Sequence, residues 1–308
     1  MKLTRIVYLG TAEIAVPAMQ ALAAQPALTL AGVISQPDRP SGRKRVLTPS
    51  PVKTAALALE VPVHTPENIG DAVPLLEDLR PDLMVVFAYG QYIPTRIFDF
   101  PPMGSINFHP SLLPRYRGAS PIQSALAAGD TQSGLSVIRV GKAMDAGDIL
   151  LQEPVEIGPE ENAEALSARF AQLAADLVPK VIACLREPQP VWTPQDPERV
   201  TECRKLSKAD GLVDWQVDAQ TLHNRIRAYQ PWPGAYFPLG DGMLKIHAAR
   251  VEAGSGQPGE VLDAGDAGPL IACGADALRL LCVQPPGKTP MSGGDFLRGH
   301  ALQPGVML

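Results

Sequence analysis

The chain reads as an α/β protein in two parts, a parallel sheet covered by helices followed by a small all-β domain. Three observations carry this reading. Continuously apolar runs such as Leu83 to Phe87 alternate with helical stretches through the first half. A strand apolar on both faces is buried on both, which is the signature of a parallel sheet sandwiched between helices. A cluster of prolines, Pro188, Pro190, Pro194 and Pro197, then interrupts the pattern, and short strands separated by glycine-rich turns follow it.

Element by element, Arg5 to Leu9 is a short apolar strand, and Gly10-Thr11 turns it into a helix reaching about Ala24. Leu28 to Ser35, Leu83 to Phe87, Gly104 to Phe108 and Leu135 to Val140 are further strands. Ser120, Pro121 and Gly129 supply the N-cap, first-turn proline and stop of one helix. Glu164 to Cys184 is a long amphipathic helix disturbed at Pro179, where the ring removes a hydrogen bond. Past the prolines, Ala219 to Tyr229 is a helix with Asp218 as N-cap. The strands after it are Met243 to Arg250, Gly259 to Leu262, Leu270 to Cys273 and Leu278 to Val283. These divide the chain into residues 1–188 as a first domain, 189–207 as a linker and 208–308 as a C-terminal domain.

The 308 residues suffice for two ordinary domains, and the 45% hydrophobic content supports a real core. No apolar run reaches the roughly 18 residues of a membrane span, and the first residues lack a signal-peptide pattern, so the expected location is the cytoplasm. Cys184, Cys203, Cys273 and Cys282 are scattered, with no C-x-x-C pair and no Cys/His cluster, so no metal is expected. The net charge of −5 argues against a generic nucleic-acid binder. Any RNA contact has to rest on a local patch. One exists: Arg39, Arg43, Lys44, Arg45 and Lys53 fall within 15 residues, among Pro37, Pro40 and Gly42. It reads as an exposed, partly ordered basic loop able to contact phosphates.

Chemistry concentrates at Asn107-Phe108-His109, at the end of a strand. Residues two apart on a strand face the same side, so the amide and the imidazole can address one centre. Asp145 lies in a loop between Gly141 and Gly147, after the next strand. In a parallel sheet ligands collect beyond the carboxyl ends of strands, and both segments are expected there. An amide can stabilise an oxyanion, an imidazole can accept a proton, and a carboxylate can orient the imidazole. No G-x-S-x-G is present and no cysteine is near the motif in sequence, so direct attack by a substrate amine is the simplest scheme. The turn Gly10-Thr11-Ala12-Glu13-Ile14-Ala15 invites a dinucleotide reading, but Ala12 replaces the glycine that lets a pyrophosphate approach.

The string Asn107 to Gly118, N-F-H-P-S-L-L-P-R-Y-R-G, resembles the signature of the formyltetrahydrofolate-dependent formyltransferase family. The similarity runs nearly end to end and is to the branch that acts on methionyl-tRNA. It includes Gly10 to Pro17, Gln36 to Arg43 with Leu47 to Lys53, Gln284 to Lys288, and Met291 to Leu297. Lys44-Arg45-Val46 departs from one common version of the family's inserted loop while keeping its positive charge. The resemblance implies a Rossmann-like first domain and an OB-like β-barrel second domain. It implies Asn107, His109 and Asp145 as catalytic residues. It implies folate contacts at Ser111, Leu112, Leu113 and Pro114, with the Leu113–Pro114 peptide cis. Phe87, Tyr89 and Gly90 are implied near the pterin, and Arg43, Lys44 and Arg45 near tRNA. The cosubstrate would be 10-formyltetrahydrofolate and the acceptor the amine of methionine on initiator tRNA. Nothing in the sequence points to an obligate oligomer, so a monomer is expected. Alternatives are a formyltransferase acting on a sugar nucleotide or on glycinamide ribonucleotide, a 10-formyltetrahydrofolate hydrolase, an NAD-dependent oxidoreductase, and a non-catalytic RNA-binding module. Trp215, Trp232 and Tyr236 are expected to pack rather than to stack on bases.

Overall fold

The computed structural model describes residues 3–42, 45–240, 242–300 and 302–308. The chain separates into two compact units, residues 1–121, 132–156 and 167–203 in the first and 122–131, 157–166 and 204–308 in the second.

The first unit is built on seven strands. They are β1 (Arg5–Gly10), β2 (Thr29–Ile34), β5 (Val63–His64), β6 (Leu83–Phe87), β7 (Ser105–His109), β9 (Gln132–Arg139) and β10 (Ile149–Glu156). Numbers β3 and β4 belong to a hairpin of Arg39–Ser41 and Val46–Thr48, and β8 to Arg117–Gly118. The sheet order is β10-β9-β7-β6-β1-β2-β5. The strands from β7 through β6, β1 and β2 to β5 are parallel, as their apolar runs predict. All six residues of the sequence Arg5–Gly10 except the first are buried, and so are all five of Leu83–Phe87. One strand differs from expectation: β9 runs antiparallel to both of its neighbours, β7 and β10. The sheet is therefore mixed. An apolar run reads the same in either direction, so sequence alone does not reveal this reversal.

Helices α1 (Val16–Ala23), α2 (Pro51–Ala58), α3 (Val73–Leu79) and α4 (Thr95–Phe98) fall between the parallel strands. Val7, Leu9, Ile34, Leu76, Met84 and Ile97 meet in one buried cluster with Tyr89. The stretch expected to be a single helix to Ala24 opens with a 3-10 turn at Glu13–Ala15 before α1. Ser50 caps α2 by accepting from Lys53 N at 3.0 Å. Helix α5 (Pro121–Ala127) begins on the expected proline. The long α6 (Ala163–Arg186) runs through Pro179 without ending. Short β11 (Glu202–Cys203) pairs in parallel with β8.

The second unit is an antiparallel sheet, with β12 (Ala235–Leu239), β13 (Gly242–Glu252), β14 (Val261–Gly265), β15 (Gly268–Ala272), β16 (Ala277–Gln284) and β17 (Met291–Ser292). Its order is β12-β13-β16-β15-β14, with β17 on β16. Helix α7 (Ala219–Ala228) is capped as expected by Asp218, which accepts from Thr221 N at 2.8 Å, and α8 (Gly293–Gly299) follows β17. Trp215 packs edge-on against Phe237 in the core, with ring centroids 5.3 Å apart. Trp232 does not follow the packing expectation, because it is 52% exposed. The strands β13 and β16 place Arg250 opposite Arg279, and carboxylates offset that repulsion. Glu252 accepts from Arg279 Nη2 at 2.8 Å and also pairs with Arg250. These guanidiniums hold the Glu252 carboxyl down at about 2 against an ordinary 4.5. A depressed carboxyl contributes stability that is present above the ordinary value and lost as pH falls through the native one. The thermal midpoint of the wild type is therefore expected to drop between about pH 4.5 and pH 2. Glu252→Gln should lower it near neutrality and reduce its change across that window, measured by calorimetry at stepped pH.

Candidate active site

Strand β7 carries the two central side chains. Asn107 is half-buried and His109 is buried, and the intervening Phe108 faces the other way and packs against Phe87 with ring centroids 5.8 Å apart. Asp145 completes the group. Its Oδ1 accepts from Asn107 Nδ2 at 3.3 Å, and its Oδ2 lies 3.5 Å from His109 Nδ1. The backbone N–H of Gly118 also donates to Asp145 Oδ2, at 2.9 Å. The three residues expected to act together are thus brought together.

Asp145 reaches this point by a route the sequence did not suggest. Because β9 is antiparallel, it ends beside the start of β7, where Val140 N donates to Ser105 O at 2.8 Å. The carboxyl end of β9 is therefore at the opposite rim from His109. The loop of residues 140–148 folds back to bring the carboxylate to Asn107 and His109. Asp145 adopts a left-handed backbone at φ 50°, which a non-glycine residue rarely does and which Asp tolerates better than most.

His109 Nε2 is 2.8 Å from the carbonyl oxygen of Tyr116. A carbonyl only accepts, so Nε2 carries the hydrogen and Nδ1 is the basic nitrogen of the neutral ring. Nδ1 is the atom that faces Asp145. A proton taken up there gives an imidazolium with a carbonyl at one N–H and a carboxylate at the other. The His109 side chain is 4% exposed and that of Asp145 is 15%, so the carboxylate is the more accessible member of the pair. Asn107 spends one amide N–H on Asp145, and its amide carries a second.

The loop after His109 is fixed from beneath by Ser136 and Gln152. Ser136 Oγ donates to Ser111 O at 2.6 Å and accepts from Leu113 N at 3.1 Å. Gln152 Nε2 donates to Ser136 Oγ at 2.8 Å and to Leu113 O at 2.9 Å. Ser111, Leu113 and Pro114 are buried and Leu112 half-buried. The Leu113–Pro114 peptide is cis, as the resemblance implies.

Of the stretch Phe87 to Gly90, the side chains of Phe87 and Tyr89 are buried, 1% and 2% exposed, and Tyr89 sits in the core. Burial pushes the Tyr89 hydroxyl up to about 12. This stretch offers surface at Ala88 and Gly90, both exposed, rather than through its aromatic rings. Thr11 N and Ala12 N both donate to Ala88 O, at 3.2 and 3.4 Å. The amides a pyrophosphate would need are thus used within the chain, which agrees with setting the dinucleotide reading aside.

The basic loop is more structured than its composition suggests. Arg39–Ser41 and Val46–Thr48 pair as a hairpin, every described residue of which is exposed. Lys53 lies in α2 and is paired with Asp38 at 2.8 Å, and Arg39 lies 3.6 Å from Glu67. Arg45 is exposed on the turn. Arg43 and Lys44 lie outside the described residues.

Several site residues escaped sequence reasoning. Cys203 is one: its Sγ donates to Tyr116 O at 3.4 Å, the same carbonyl that holds His109. A cysteine is therefore near the motif after all. It lies 87 residues away in sequence and nothing local signals it. Gln195, Thr201, Ser136 and Gln152 are the others. Among the described residues no group of three or more His, Cys, Asp or Glu side chains is placed to hold a metal ion.

A layered α/β unit with an amide, an imidazole and a carboxylate converging beside a fixed loop defines a group-transfer enzyme. The sequence matches the formyl transferase model over residues 4–182 and the formyl transferase C-terminal domain model over residues 205–301. The chain belongs to the formyl transferase family. It is 42% identical over 307 residues to a methionyl-tRNA formyltransferase of Syntrophus aciditrophicus (strain SB), covering 98% of each chain. Among solved structures it resembles the methionyl-tRNA formyltransferase from Clostridium thermocellum, with TM-score 0.58 and 18% identity, over 82% of this chain and 96% of that one. It also resembles a variant of HypX from Aquifex aeolicus, with TM-score 0.67 and 17% identity over 98% of this chain. The chain spans about half the length of HypX, 49%. The structural likenesses show the fold.

Proposed function

We propose that the protein transfers the formyl group of 10-formyltetrahydrofolate to the α-amine of methionine on initiator tRNA. The convergence of Asn107, His109 and Asp145 on one point carries the reading. The match to methionyl-tRNA formyltransferases over nearly the whole chain, both domains included, favours this acceptor over a sugar nucleotide or water. The amine attacks the formyl carbon, the new C–N bond forms, and the bond from that carbon to the folate nitrogen breaks. The Asp145–His109 pair takes the amine proton, with Nδ1 of His109 as the basic nitrogen and Asp145 as the stabilising counter-charge. The second N–H of Asn107 donates to the oxyanion, and the positive charge then on His109 lies beside it. The proton leaves on the departing folate nitrogen, so the enzyme ends as it began.

Donor binding falls to Ser111, Leu112, Leu113 and Pro114, on a loop that Ser136 and Gln152 hold in place, and to the exposed backbone around Ala88 and Gly90. The tRNA contact falls to Arg43, Lys44 and Arg45, of which Arg45 is exposed on the turn after Arg39–Ser41. We assign residues 1–188 to catalysis, 189–207 to a linker whose residues up to 203 pack within the first unit, and 208–308 to a tRNA-contacting domain, in a cytoplasmic monomer. No described helix is long and apolar enough to cross a membrane.

The test offers the enzyme 10-formyltetrahydrofolate with either methionyl initiator tRNA or an amino-sugar nucleotide. Formylation of the methionyl-tRNA alone is the expected result. Formylation of the sugar alone, or release of formate with neither acceptor modified, would replace this reading with one of its alternatives.

A further inference from the structure

The proline-rich segment after α6 grips the loop that carries Asp145 at three places. At its start, the Arg139 guanidinium lies over the Trp192 ring, 4.4 Å from the centroid. At its end, Thr193 and Ile149 exchange two backbone hydrogen bonds of 2.8 Å. Between them, Gln195 Nε2 donates to Asp145 O and to Gly147 O, both at 2.8 Å. Further along, Thr201 Oγ1 accepts from Tyr116 N at 2.8 Å, and β11 pairs with β8.

Gln195 uses its whole amide. Both N–H groups go to the loop, and its Oε1 accepts from Arg117 Nε at 2.9 Å. Arg117 precedes Gly118, whose N–H holds the Asp145 carboxylate. The backbone and the carboxylate of Asp145 are thus both tied to residues 117–118, one through Gln195 and one directly. Pinning the carbonyls of residues 145 and 147 fixes where the Asp145 side chain starts, on a backbone otherwise unfavourable at φ 50°. The packing of Gly147 adds to this, since a Cβ there would overlap the Arg139 carbonyl.

We propose that Gln195 is a positioning residue for the transfer reaction, setting the Asp145 carboxylate against His109 Nδ1. The inference rests on the reading of Asp145 above. A reacting group displaced by about 1 Å can cost about 10²-fold in rate without loss of binding. A clamp acting this way changes turnover and leaves substrate affinity alone.

The experiment measures steady-state formyl transfer to methionyl initiator tRNA for Gln195→Glu, Gln195→Ala and Asp145→Asn beside wild type, with thermal midpoints. Glutamate keeps the size of the side chain and the acceptor for Arg117, but turns an oxygen toward two carbonyls. Both Gln195 variants are expected to lose about 10- to 100-fold in kcat, with KM for either substrate changed less than about threefold and the midpoint nearly unchanged. Wild-type kcat in both Gln195 variants, with Asp145→Asn inactive, would overturn this inference alone. A loss that appears in KM, or only as failure to fold in both variants, would also overturn it, because Gln195 would then be structural. Wild-type activity in Asp145→Asn would instead remove the reading of Asp145 beneath it.

Discussion

Asp145→Asn is expected to lower kcat for formyl transfer by about 10³-fold, and Asn107→Ala by about 10²- to 10³-fold. The two substitutions remove different things. Asparagine preserves the shape of Asp145 and tolerates its left-handed backbone, so the fold survives while the charge facing His109 disappears. Without that charge, proton uptake at Nδ1 loses its counter-ion. Truncating Asn107 removes both the donor proposed for the oxyanion and the hydrogen bond of 3.3 Å that helps hold Asp145. The two effects are coupled, so the double variant should cost less than the product of the singles. Rapid-quench transfer assays, with folate binding measured on the same preparations, separate chemistry from binding. Near-normal turnover in either variant removes that residue from the mechanism.

Gly118→Ala is expected to destabilise the protein by about 3 kcal/mol and to depress transfer as well. Its φ of 122° lies where side chains are strained, and an added Cβ would overlap the carbonyl oxygen of Cys203. Backbone strain of that kind costs about 1–3 kcal/mol, and forced overpacking about 1–3 kcal/mol more. Neither side can relax cheaply, because β8 and β11 are paired there and Ala119 N donates to Cys203 O at 3.0 Å. Any shift of Gly118 also moves the N–H that holds Asp145. Gly141→Ala is the control: a Cβ there meets nothing within 4 Å, and it should change neither quantity. Denaturant unfolding and transfer assays on the pair check both halves. Equal stability of the two variants would contradict the packing argument.

The parts of this site that sequence revealed are those set by local periodicity. Asn107 and His109 share a face because strands alternate, and their strand was visible as an apolar run. The hydrophobic runs likewise located β1, β6 and α7 to within a residue or two. Asp145 was found for a reason that does not hold, since its strand points the other way and the loop doubles back. Direction is set by which neighbour a strand pairs with, and an apolar run carries no record of it. Gln195 and Cys203 lie 50 residues from Asp145 and 87 from Tyr116. Only the closed fold brings them in, and a proline-rich stretch reads as a tether even where single residues of it, such as Trp192, Thr193 and Gln195, are engaged. The hairpin of residues 39–48 was hidden for another reason. Its strands are three residues long and wholly exposed, so no alternation of burial marks them.

The most direct test of the account is formyl transfer from 10-formyltetrahydrofolate to methionyl initiator tRNA by wild type and His109→Ala, with donor binding measured alongside. Transfer by the wild type, with a loss of about 10²-fold or more in the variant and donor affinity retained, is the result the geometry predicts. Donor binding without transfer by the wild type, or equal transfer by both proteins, would contradict it.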